Sequence, residues 1–312
     1  MTDETRIRAA WLYHVGELSQ DEVGQRLGLS RFKVLRLLSD ARAAGEVVIS
    51  LDHRSTGTLG LAETLRKAFD LKDVLVAPDT GNSDAATARR AVGIVAASWL
   101  ARVAAGGPMT VGVGWGRTLS AMADALVGLN NPKLRIVSLM GAMVRTGPEG
   151  PIDVCARIAA VAGGQALFLP APFLADTPED AALIMQQRLV REALDAARAA
   201  RHMIISVGEG GQEALLTSSG VIDAADIATL EAAEVVADTT GKFFQEDGTL
   251  AQVDLNTRTP AIGLEDLNRA EVTLLVAGPA KARAARAVLR SGIVNRVVTD
   301  EATAMILMEG KG

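Results

Sequence analysis

Residues 19–44 read SQDEVGQRLGLSRFKVLRLLSDARAA and predict two short helices joined by a tight turn. Ser19 followed three residues later by Glu22 is a capping box, which marks the N-terminus of a helix. Gly28 permits the left-handed backbone conformation that ends this first helix, and Ser30 is suited to cap the second one. Two short helices joined by a glycine-containing turn form the helix-turn-helix pattern.

The second helix of this pattern has cations in its N-terminal half, where a recognition helix contacts base edges and phosphates. Its apolar positions predict packing against the rest of the module, and they are Val34, Leu35, Leu37 and Leu38. We expect the polar and basic residues to contact DNA, with the capping serine also touching a phosphate. These predicted DNA-binding residues are Ser30, Arg31, Lys33 and Arg36.

An ordinary helical hairpin inside a globular core has the same spacing and is the alternative interpretation. Three features favour DNA binding: the short turn at 28–30, the excess of cations over acids in the second helix, and the strand-like segment VVISL at 47–51. β-branched residues are enriched in strands, so we expect this segment to form the wing of a winged helix-turn-helix. We also expect a first helix, over residues 5–15, to turn five residues inward: Ile7, Ala10, Trp11, His14 and Val15.

Length and charge predict how the chain is divided. A chain of 312 residues is long for one domain. We predict a helix-turn-helix DNA-binding domain at 1–53 and an effector-binding and oligomerisation domain at 54–312. The net charge is −5, and basic and acidic residues are equal in number within residues 1–54. DNA binding would therefore depend on a local basic face and on pairing two or more copies of this DNA-binding domain, which we call the reader.

Cysteine usage and the N-terminal sequence bear on the compartment. Cys155 is the only cysteine, so no intrachain disulfide can form, which fits a reducing cytosol. The first residues, MTDETR, are charged and do not begin an apolar run like that of a signal peptide. Glycines and charges interrupt the apolar stretches well short of a membrane span. We therefore expect a cytoplasmic protein with no membrane partner.

Beyond residue 58, apolar segments of strand length alternate with helical segments up to the C-terminus. This alternation predicts a doubly wound α/β domain, whose mostly parallel sheet is covered by helices on both faces. The longest predicted helices span residues 85–104 and 179–199, and a hairpin is predicted over residues 242–248. In sheets of this kind, ligands bind beyond the carboxyl ends of the strands.

Residues 111–118, VGVGWGRT, are the most distinctive candidate for such a ligand loop. A strand ends here, glycines at alternate positions expose backbone N–H groups, and a helix begins, so the loop suits a phosphate. Thr118 would add a hydroxyl and Arg117 a charged, bidentate contact. The G-x-G-x-G spacing differs from the dinucleotide fingerprint, and no Gly-Lys-Ser/Thr of a Walker loop follows. A simple tight turn is the alternative interpretation.

Three later loops also follow predicted strands: VGEGG at 207–211, DTTGKFF at 238–244 and AGPAK at 277–281. Asp238 and Lys281 would stand at the carboxyl edge of the sheet, where they could bind sugar hydroxyls and a phosphate. Taken singly, Asp238 could be a loop cap and Lys281 a solvated lysine in the first turn of a helix. Their joint placement after strands favours a binding site.

Several of these motifs, in this order, resemble the SorC family of bacterial sugar-responsive transcriptional regulators. In the reader the resemblance rests on LSQDEV (18–23), LGLSR (27–31), VLRLL (34–38) and ARAAG (41–45). In the second domain it rests on GWGRT (114–118), LPAP (169–172), VGE (207–209), GKFF (241–244), VAGPAK (276–281) and NRVVTDEATA (295–304). The match extends over nearly the whole chain.

The resemblance implies a C-terminal domain similar to glucosamine-6-phosphate deaminases and ribose-phosphate isomerases, a phosphorylated sugar as effector, and dimers or tetramers. It implies phosphate binding by four residues of the glycine loop, Gly114, Gly116, Arg117 and Thr118. It also implies that Asp238 and Lys281 bind the effector's other groups. The chain departs from the family at Arg117, where a threonine is common, and at Pro279, where a glycine is common. An unphosphorylated sugar or polyol therefore stays open as effector.

Three functions are compatible with these residues. The first is a DNA-binding regulator of operator DNA, switched by a sugar or sugar phosphate, with no catalytic residues and no cofactor. The second is a sugar-phosphate isomerase or deaminase in which Lys281 forms a Schiff base. No convincing acid–base set accompanies that lysine, and no His, Cys or carboxylate group has metal-site spacing. The third, a purely structural scaffold, leaves the capped basic helix unexplained.

Overall fold

The computed structural model describes residues 3–44, 46–47, 58–79, 81, 84–143, 149–210, 215–218 and 220–309. The chain separates into two compact units, residues 1–50 and residues 51–312. The predicted wing strand at 47–51 lies outside the described residues, apart from Val47.

The described part of the N-terminal unit contains three helices, α1 (Asp3–His14), α2 (Gln20–Leu27) and α3 (Arg31–Ala43). The predicted capping box is confirmed, since the Glu22 N–H donates to Ser19 Oγ and the Ser19 N–H donates to the Glu22 carboxylate at 2.7 Å. Gly28 ends α2 with φ +66°. The Lys33 N–H donates to Ser30 Oγ, so Ser30 caps α3 as predicted.

The predicted inner face of α1 is wrong, apart from Ala10. Trp11 and Val15 are each 62% exposed, and Ile7 and His14 are exposed as well. The helix instead buries Ala9 and Ala10 against a small core completed by Val23, Val34, Leu37, Leu38 and Ala41. Small alanine side chains allow close approach of the helices, and this tertiary contact decides the face. Leu35 of α3 is also exposed.

The described residues of the larger unit form ten strands. They are β1 (Asp73–Ala77), β2 (Met109–Val113), β3 (Leu134–Ser138), β4 (Gln165–Leu167), β5 (His202–Ser206), β6 (Gly208–Glu209), β7 (Ala237–Thr239), β8 (Lys242–Phe244), β9 (Glu271–Leu275) and β10 (Arg296–Asp300). Seven of them form one sheet in the order β1-β10-β9-β5-β2-β3-β4, and every neighbouring pair is parallel. Strands β6, β7 and β8 form a small antiparallel sheet.

Helices cover both faces of the parallel sheet, so the predicted doubly wound α/β fold is confirmed. The helices described in the larger unit are α4 (Leu59–Ala68), α5 (Ala85–Ala104), α6 (Arg117–Ala125), α7 (Pro151–Ala162), α8 (Pro178–Met185), α9 (Arg188–Arg198), α10 (Leu215–Ser218), α11 (Ala224–Ala232), α12 (Leu255–Arg258), α13 (Leu264–Arg269), α14 (Ala282–Arg290) and α15 (Glu301–Glu309). Helices α5, α6 and α7 bury apolar side chains on one face, and α4, α9, α14 and α15 on the other.

Two local predictions differ from the structure. The single helix predicted over 179–199 is wrong, because the backbone is extended at Gln187 and separates α8 from α9. Helix α8 packs on α12 whereas α9 packs on β2 and β3, although Ile184 and Met185 of α8 also contact the apolar cluster that α9 joins. The hairpin predicted at 242–248 is one of two consecutive turns: Phe244 pairs antiparallel with Leu250 around it, and a tight turn at Thr240 and Gly241, which both have positive φ, precedes it. Two consecutive residues of this kind match a two-residue hairpin turn.

Candidate functional site

The order of strands reverses between β2 and β5. From β2 the chain continues to β3 and β4 on one side, whereas β5, β9, β10 and β1 lie on the other side. The loops that leave the carboxyl ends of β2 and β5 therefore diverge and open a crevice, which is where ligands bind in doubly wound sheets. A pocket that opens to solvent occupies this place, and we call it the switch-point pocket.

All six residues predicted to bind the effector line the switch-point pocket: Gly114, Gly116, Arg117, Thr118, Asp238 and Lys281. The rest of its lining comes from Arg89, Trp115, Ser206, Val207, Gly208, Leu216, Thr239, Thr240 and Ala277. Four segments that are far apart along the chain thus meet at the pocket. Three of them follow β2, β5 and β9 of the parallel sheet, whereas Asp238 lies within β7 of the antiparallel sheet and not in a loop after a strand, as predicted.

The glycine loop after β2 is built tightly against β5. The Gly114 N–H donates to the carbonyl of Ile204 at 2.9 Å, and the Gly116 N–H donates to that of Glu149 at 2.9 Å. The prediction that these glycines expose their N–H groups to a ligand is therefore wrong, because both groups are bonded within the protein. Gly116 has φ +121°, and a Cβ there would lie 2.8 Å from Ser206 Oγ. The position therefore favours glycine both for its backbone conformation and for the lack of space for a side chain. Helix α6 begins at Arg117 without a side-chain cap. Its first N–H groups therefore suit an anion, with the helix dipole adding to the attraction.

Two guanidinium groups line the pocket near this helix terminus. Arg117 belongs to α6, and Arg89 comes from the first half of α5. Burial and the neighbouring charge of Arg117 both lower the pKa of Arg89, with burial the larger cause. Like charges held close together in a pocket are stabilised by an anion between them. Sequence reasoning missed Arg89, because an arginine within a long alanine-rich helix carries no loop or strand signal.

Acidic and basic groups face each other on the opposite side of the pocket. Lys281 Nζ lies 3.2 Å from Glu209 Oε2. Asp238 is only 6% exposed, and its burial raises its pKa to about 6 despite the opposing charge of Lys281. Gly208 is paired with Asp238 across β6 and β7, and a Cβ on Gly208 would lie 1.8 Å from Asp238 Oδ1. Glycine at 208 therefore leaves the space that the carboxylate occupies.

The loop that carries Lys281 is fixed from β10. Gly278 has φ +95°, and its N–H donates to Asp300 Oδ2 at 2.8 Å. Thr303 donates to the same carboxylate through both its N–H and its hydroxyl. A 3-10 turn at Pro279–Lys281 then leads into α14. Because Asp300 is buried and bonded to all these donors, the position of Lys281 is determined by the sheet rather than by a free loop.

Hydroxyl groups connect these parts of the pocket, and sequence reasoning also missed them. Ser206 Oγ donates to the carbonyl of Trp115 at 2.6 Å, and Thr239 Oγ1 donates to that of Ser206 at 2.8 Å. The glycine loop, β5 and β7 are therefore joined by hydrogen bonds. Thr240 is buried beside them with φ +50°. Such serines and threonines are common in any sequence, so only their position after strands could have indicated them.

The predicted DNA-binding residues form an exposed surface on the N-terminal unit. Ser30, Arg31, Lys33 and Arg36 are all exposed. Arg31 Nε donates to Gln20 Oε1 at 3.3 Å and its guanidinium lies 3.8 Å from Asp21, so α2 holds this arginine from the side. Arg36 lies 4.0 Å from Asp40 on its own helix. Exposed ion pairs of this kind contribute little to stability and can be exchanged for contacts with phosphates.

Comparison with known proteins identifies the family. The family described as "Putative sugar-binding domain" matches residues 53–309. The chain belongs to this sugar-binding domain family. It is 34% identical over 307 residues to the erythritol catabolism regulatory protein EryD of Brucella abortus (strain 2308), covering 98% of this chain and 96% of that protein. It is 29% identical over 318 residues to the transcriptional regulator LsrR of Enterobacter sp. (strain 638), covering 99% and 94%.

Among solved structures, the full-length sorbitol operon regulator SorC from Klebsiella pneumoniae has the same fold. The TM-score is 0.75 at 21% identity, and 99% of each chain is covered. Together with the curated relatives, this confirms the resemblance to SorC-type regulators, so the chain is a sugar-binding transcriptional regulator of this family. No helix among the described residues is long and apolar enough to cross a membrane.

Proposed function

We propose that the chain represses or activates an operon by binding operator DNA through residues 1–53, and that a sugar or polyol bound in residues 54–312 switches this binding. The observation that carries the proposal is the convergence of four sequence-distant segments, with all six predicted effector residues, on the switch-point pocket. The family relatives named as regulators support the DNA-binding half. We place this activity in the cytoplasm.

The charges of the pocket favour a phosphorylated effector. Three cations line it or stand at its wall, Arg89, Arg117 and Lys281, against the two acids Asp238 and Glu209. A phosphate at the N-terminus of α6 would accept hydrogen bonds from backbone N–H groups, from Thr118 and from the two arginines. The hydroxyls of the effector would then meet Asp238 and Lys281 at the other side. An unphosphorylated polyol would bring no negative charge to these two arginines.

The switch requires two arrangements of the oligomer, a dimer or a tetramer, that differ in the spacing of the readers. Paired readers contact half-sites separated by whole turns of DNA, about 34 Å each. An effector that prefers one arrangement by about 5.5 kcal/mol reverses the populations almost completely. A bidentate phosphate contact and several charge-assisted hydrogen bonds are sufficient for a preference of this size, because each contributes about 1.5–3 kcal/mol.

The enzyme alternative receives less support from the pocket. A Schiff base requires a neutral amine, whereas the ammonium of Lys281 is paired with the carboxylate of Glu209 at 3.2 Å. No histidine is among the residues that line the pocket. Of the described histidines, His14 lies in α1, and His202 is the first residue of β5, at the amino end of the strand and away from the pocket. Turnover of a sugar phosphate by the protein, lost in Lys281→Ala, would establish the enzyme instead.

Fluorescence anisotropy with the DNA upstream of the gene, at several salt concentrations, tests the proposal. We expect specific binding whose affinity changes at least tenfold with one of a panel of sugar phosphates. Arg117→Gln should keep the DNA affinity and lose the response, while Lys33→Gln should weaken DNA binding and keep effector binding. Arg188→Gln, an exposed substitution on α9, is the matched control and should change neither. Absence of selective DNA binding under every effector condition would refute the proposal.

A further inference from the structure

Phe32 is the second residue of α3 and is 85% exposed, the largest exposed fraction among the large apolar side chains of the described residues. Successive residues of a helix are rotated by about 100°. The side of α3 that packs on the core is occupied by Val34, Leu37, Leu38 and Ala41. Phe32 therefore points almost directly away from the core, at the middle of the exposed face.

The neighbours of Phe32 on this face are one turn further along the helix. Leu35, at i+3, is 46% exposed, and Arg36, at i+4, is exposed beside it. Arg31 and Lys33 flank Phe32 on either side along the chain. The bonds of Arg31 to Gln20 and Asp21 draw its guanidinium toward α2. A ring of cations thus surrounds an apolar centre made of Phe32 and Leu35.

The cations decide what kind of partner this surface fits. Three positive side chains around the aromatic ring complement a polyanion and repel another copy of the same face. In the major groove the base edges present hydrogen-bond donors and acceptors, and the single apolar group among them is the C5-methyl of thymine. Contacts from the surrounding cations to phosphates would set the depth at which α3 enters the groove.

We propose that Phe32 contacts a thymine methyl group in each operator half-site and so determines the base preferred at that position. The inference rests on the proposed DNA-binding function and adds the base that is read and the residue that reads it. Leu35 extends the apolar surface toward the next base pair. Arg31, Lys33 and Arg36 supply affinity that does not depend on sequence.

Uracil substitution provides the test, because replacing thymine by deoxyuridine removes only the methyl group and leaves base pairing intact. The wild-type protein first selects an operator from genomic fragments, and each thymine of the half-site is then replaced singly. We expect one or two positions at which affinity for the wild type falls about three- to tenfold, the change that loss of one buried methyl-sized contact produces. At those positions Phe32→Ala should bind the thymine and uracil operators equally.

Two further variants distinguish a contact with the methyl group from a general loss of DNA affinity. Phe32→Leu keeps apolar surface and should retain part of the preference for thymine, whereas Lys33→Gln should weaken binding to all operators equally and keep the full preference. If Phe32→Ala binds too weakly at ordinary salt, lower salt strengthens the phosphate contacts and makes the ratio measurable. Because Phe32 is exposed, we expect the circular dichroism spectrum and effector affinity of Phe32→Ala to equal those of the wild type.

Three results would overturn the inference. The first is a wild-type protein that binds its operator and loses no affinity with uracil at any position. The second is a uracil effect that persists unchanged in Phe32→Ala. The third is an oligomer that dissociates in sedimentation when Phe32 is replaced while the thymine preference stays, since Phe32 would then belong to a protein interface. In each of these cases DNA binding itself survives; a wild type that binds no DNA selectively would instead end the proposed function together with this inference.

Discussion

Asp238 is a deeply buried residue whose carboxylate lines the switch-point pocket. The residue is 6% exposed and lines the pocket, and the neighbouring charge that acts on its carboxylate is the ammonium of Lys281, which attracts it. In the absence of effector, the folded protein must keep this ionised group out of water at neutral pH. The substitution Asp238→Asn preserves the shape and removes the charge. We expect it to stabilise the free protein and to weaken effector binding at least tenfold, because the hydroxyls lose a charged acceptor.

The pKa of Asp238 gives the size and the sign of the stability change. Burial raises this pKa from 3.8 to about 6. A difference of about two pKa units corresponds to about 3 kcal/mol. Since the folded pKa is the higher one, the stability contribution of this group is fully present below pH 3.8 and is lost as the pH rises through 6. Asp238→Asn should therefore gain up to about 3 kcal/mol at about pH 7.5, about half of that at about pH 5, and only a small part of it at about pH 4.

Thermal unfolding of both proteins, without effector and at these pH values, measures the difference directly. For domains of this size about 1 kcal/mol corresponds to 2–4 °C in Tm. Asp226→Asn is a matched control, because Asp226 is also a buried aspartate but binds Arg258 Nη1 at 2.7 Å. Replacing the Asp226 carboxylate should destabilise the protein by about 1–3 kcal/mol, because Arg258 keeps Asp254 as a second partner. Changes in Tm of opposite sign for the two substitutions would distinguish a functional charge at Asp238 from a structural charge at Asp226.

The reasoning would be refuted by an Asp238→Asn protein that is less stable than the wild type at about pH 7.5 by an amount independent of pH. Asp238 would then be a structural ion-pair partner of Lys281, and its charge would belong to the fold rather than to the effector. A stabilised variant that still binds the effector with unchanged affinity would refute only the predicted loss of effector binding.

Three further predictions concern the same surfaces. Gly208→Ala places a Cβ 1.8 Å from Asp238 Oδ1 and should lower effector affinity at least tenfold by calorimetry, with the melting curve still cooperative. Arg89→Gln and Arg117→Gln should each weaken a phosphorylated effector about 10–100-fold, while calorimetry with the dephosphorylated sugar should show little change; equal losses for both ligands would contradict a phosphate contact. Lys33→Gln should reduce the slope of log K against log salt concentration for operator binding by about 1, and an unchanged slope would place this lysine away from the phosphates.

Local patterns in the sequence predicted those parts of the structure that depend on neighbouring residues. The cap at Ser19 and the glycine loop at 114–118 follow from bonds and steric limits within a few positions. The inner face of α1 was wrong because Ile7, Trp11 and Val15 have helical spacing but tertiary packing selects the alanines instead. The break at Gln187 likewise accompanies different tertiary contacts, because α8 packs on α12 whereas α9 packs on β2 and β3.

In the site, too, some residues could be predicted from the sequence and others depend on tertiary packing. The position of Lys281 could be predicted because it follows β9, and parallel strands bring their carboxyl ends to one edge. Asp238 does not follow a strand as predicted, because it lies within β7 of the antiparallel sheet. Arg89 could not be predicted, because it reaches the pocket from the side of α5, and only the packing of this helix on the sheet brings it there. The apolar centre at Phe32 was missed for a related reason, since its exposure depends on how α1 and α2 cover α3.

The free pocket contains two unfavourable electrostatic interactions that one ligand would remove together. Arg117 lowers the pKa of Arg89, so the two guanidinium groups repel each other, and the buried Asp238 holds its charge against desolvation. A phosphate between the arginines and hydroxyl donors at the carboxylate would make both interactions favourable. An arrangement of the chain that brought these groups closer together would therefore be disfavoured in the empty pocket and favoured in the occupied one. The free-energy difference that the proposed switch requires would then arise within the site itself.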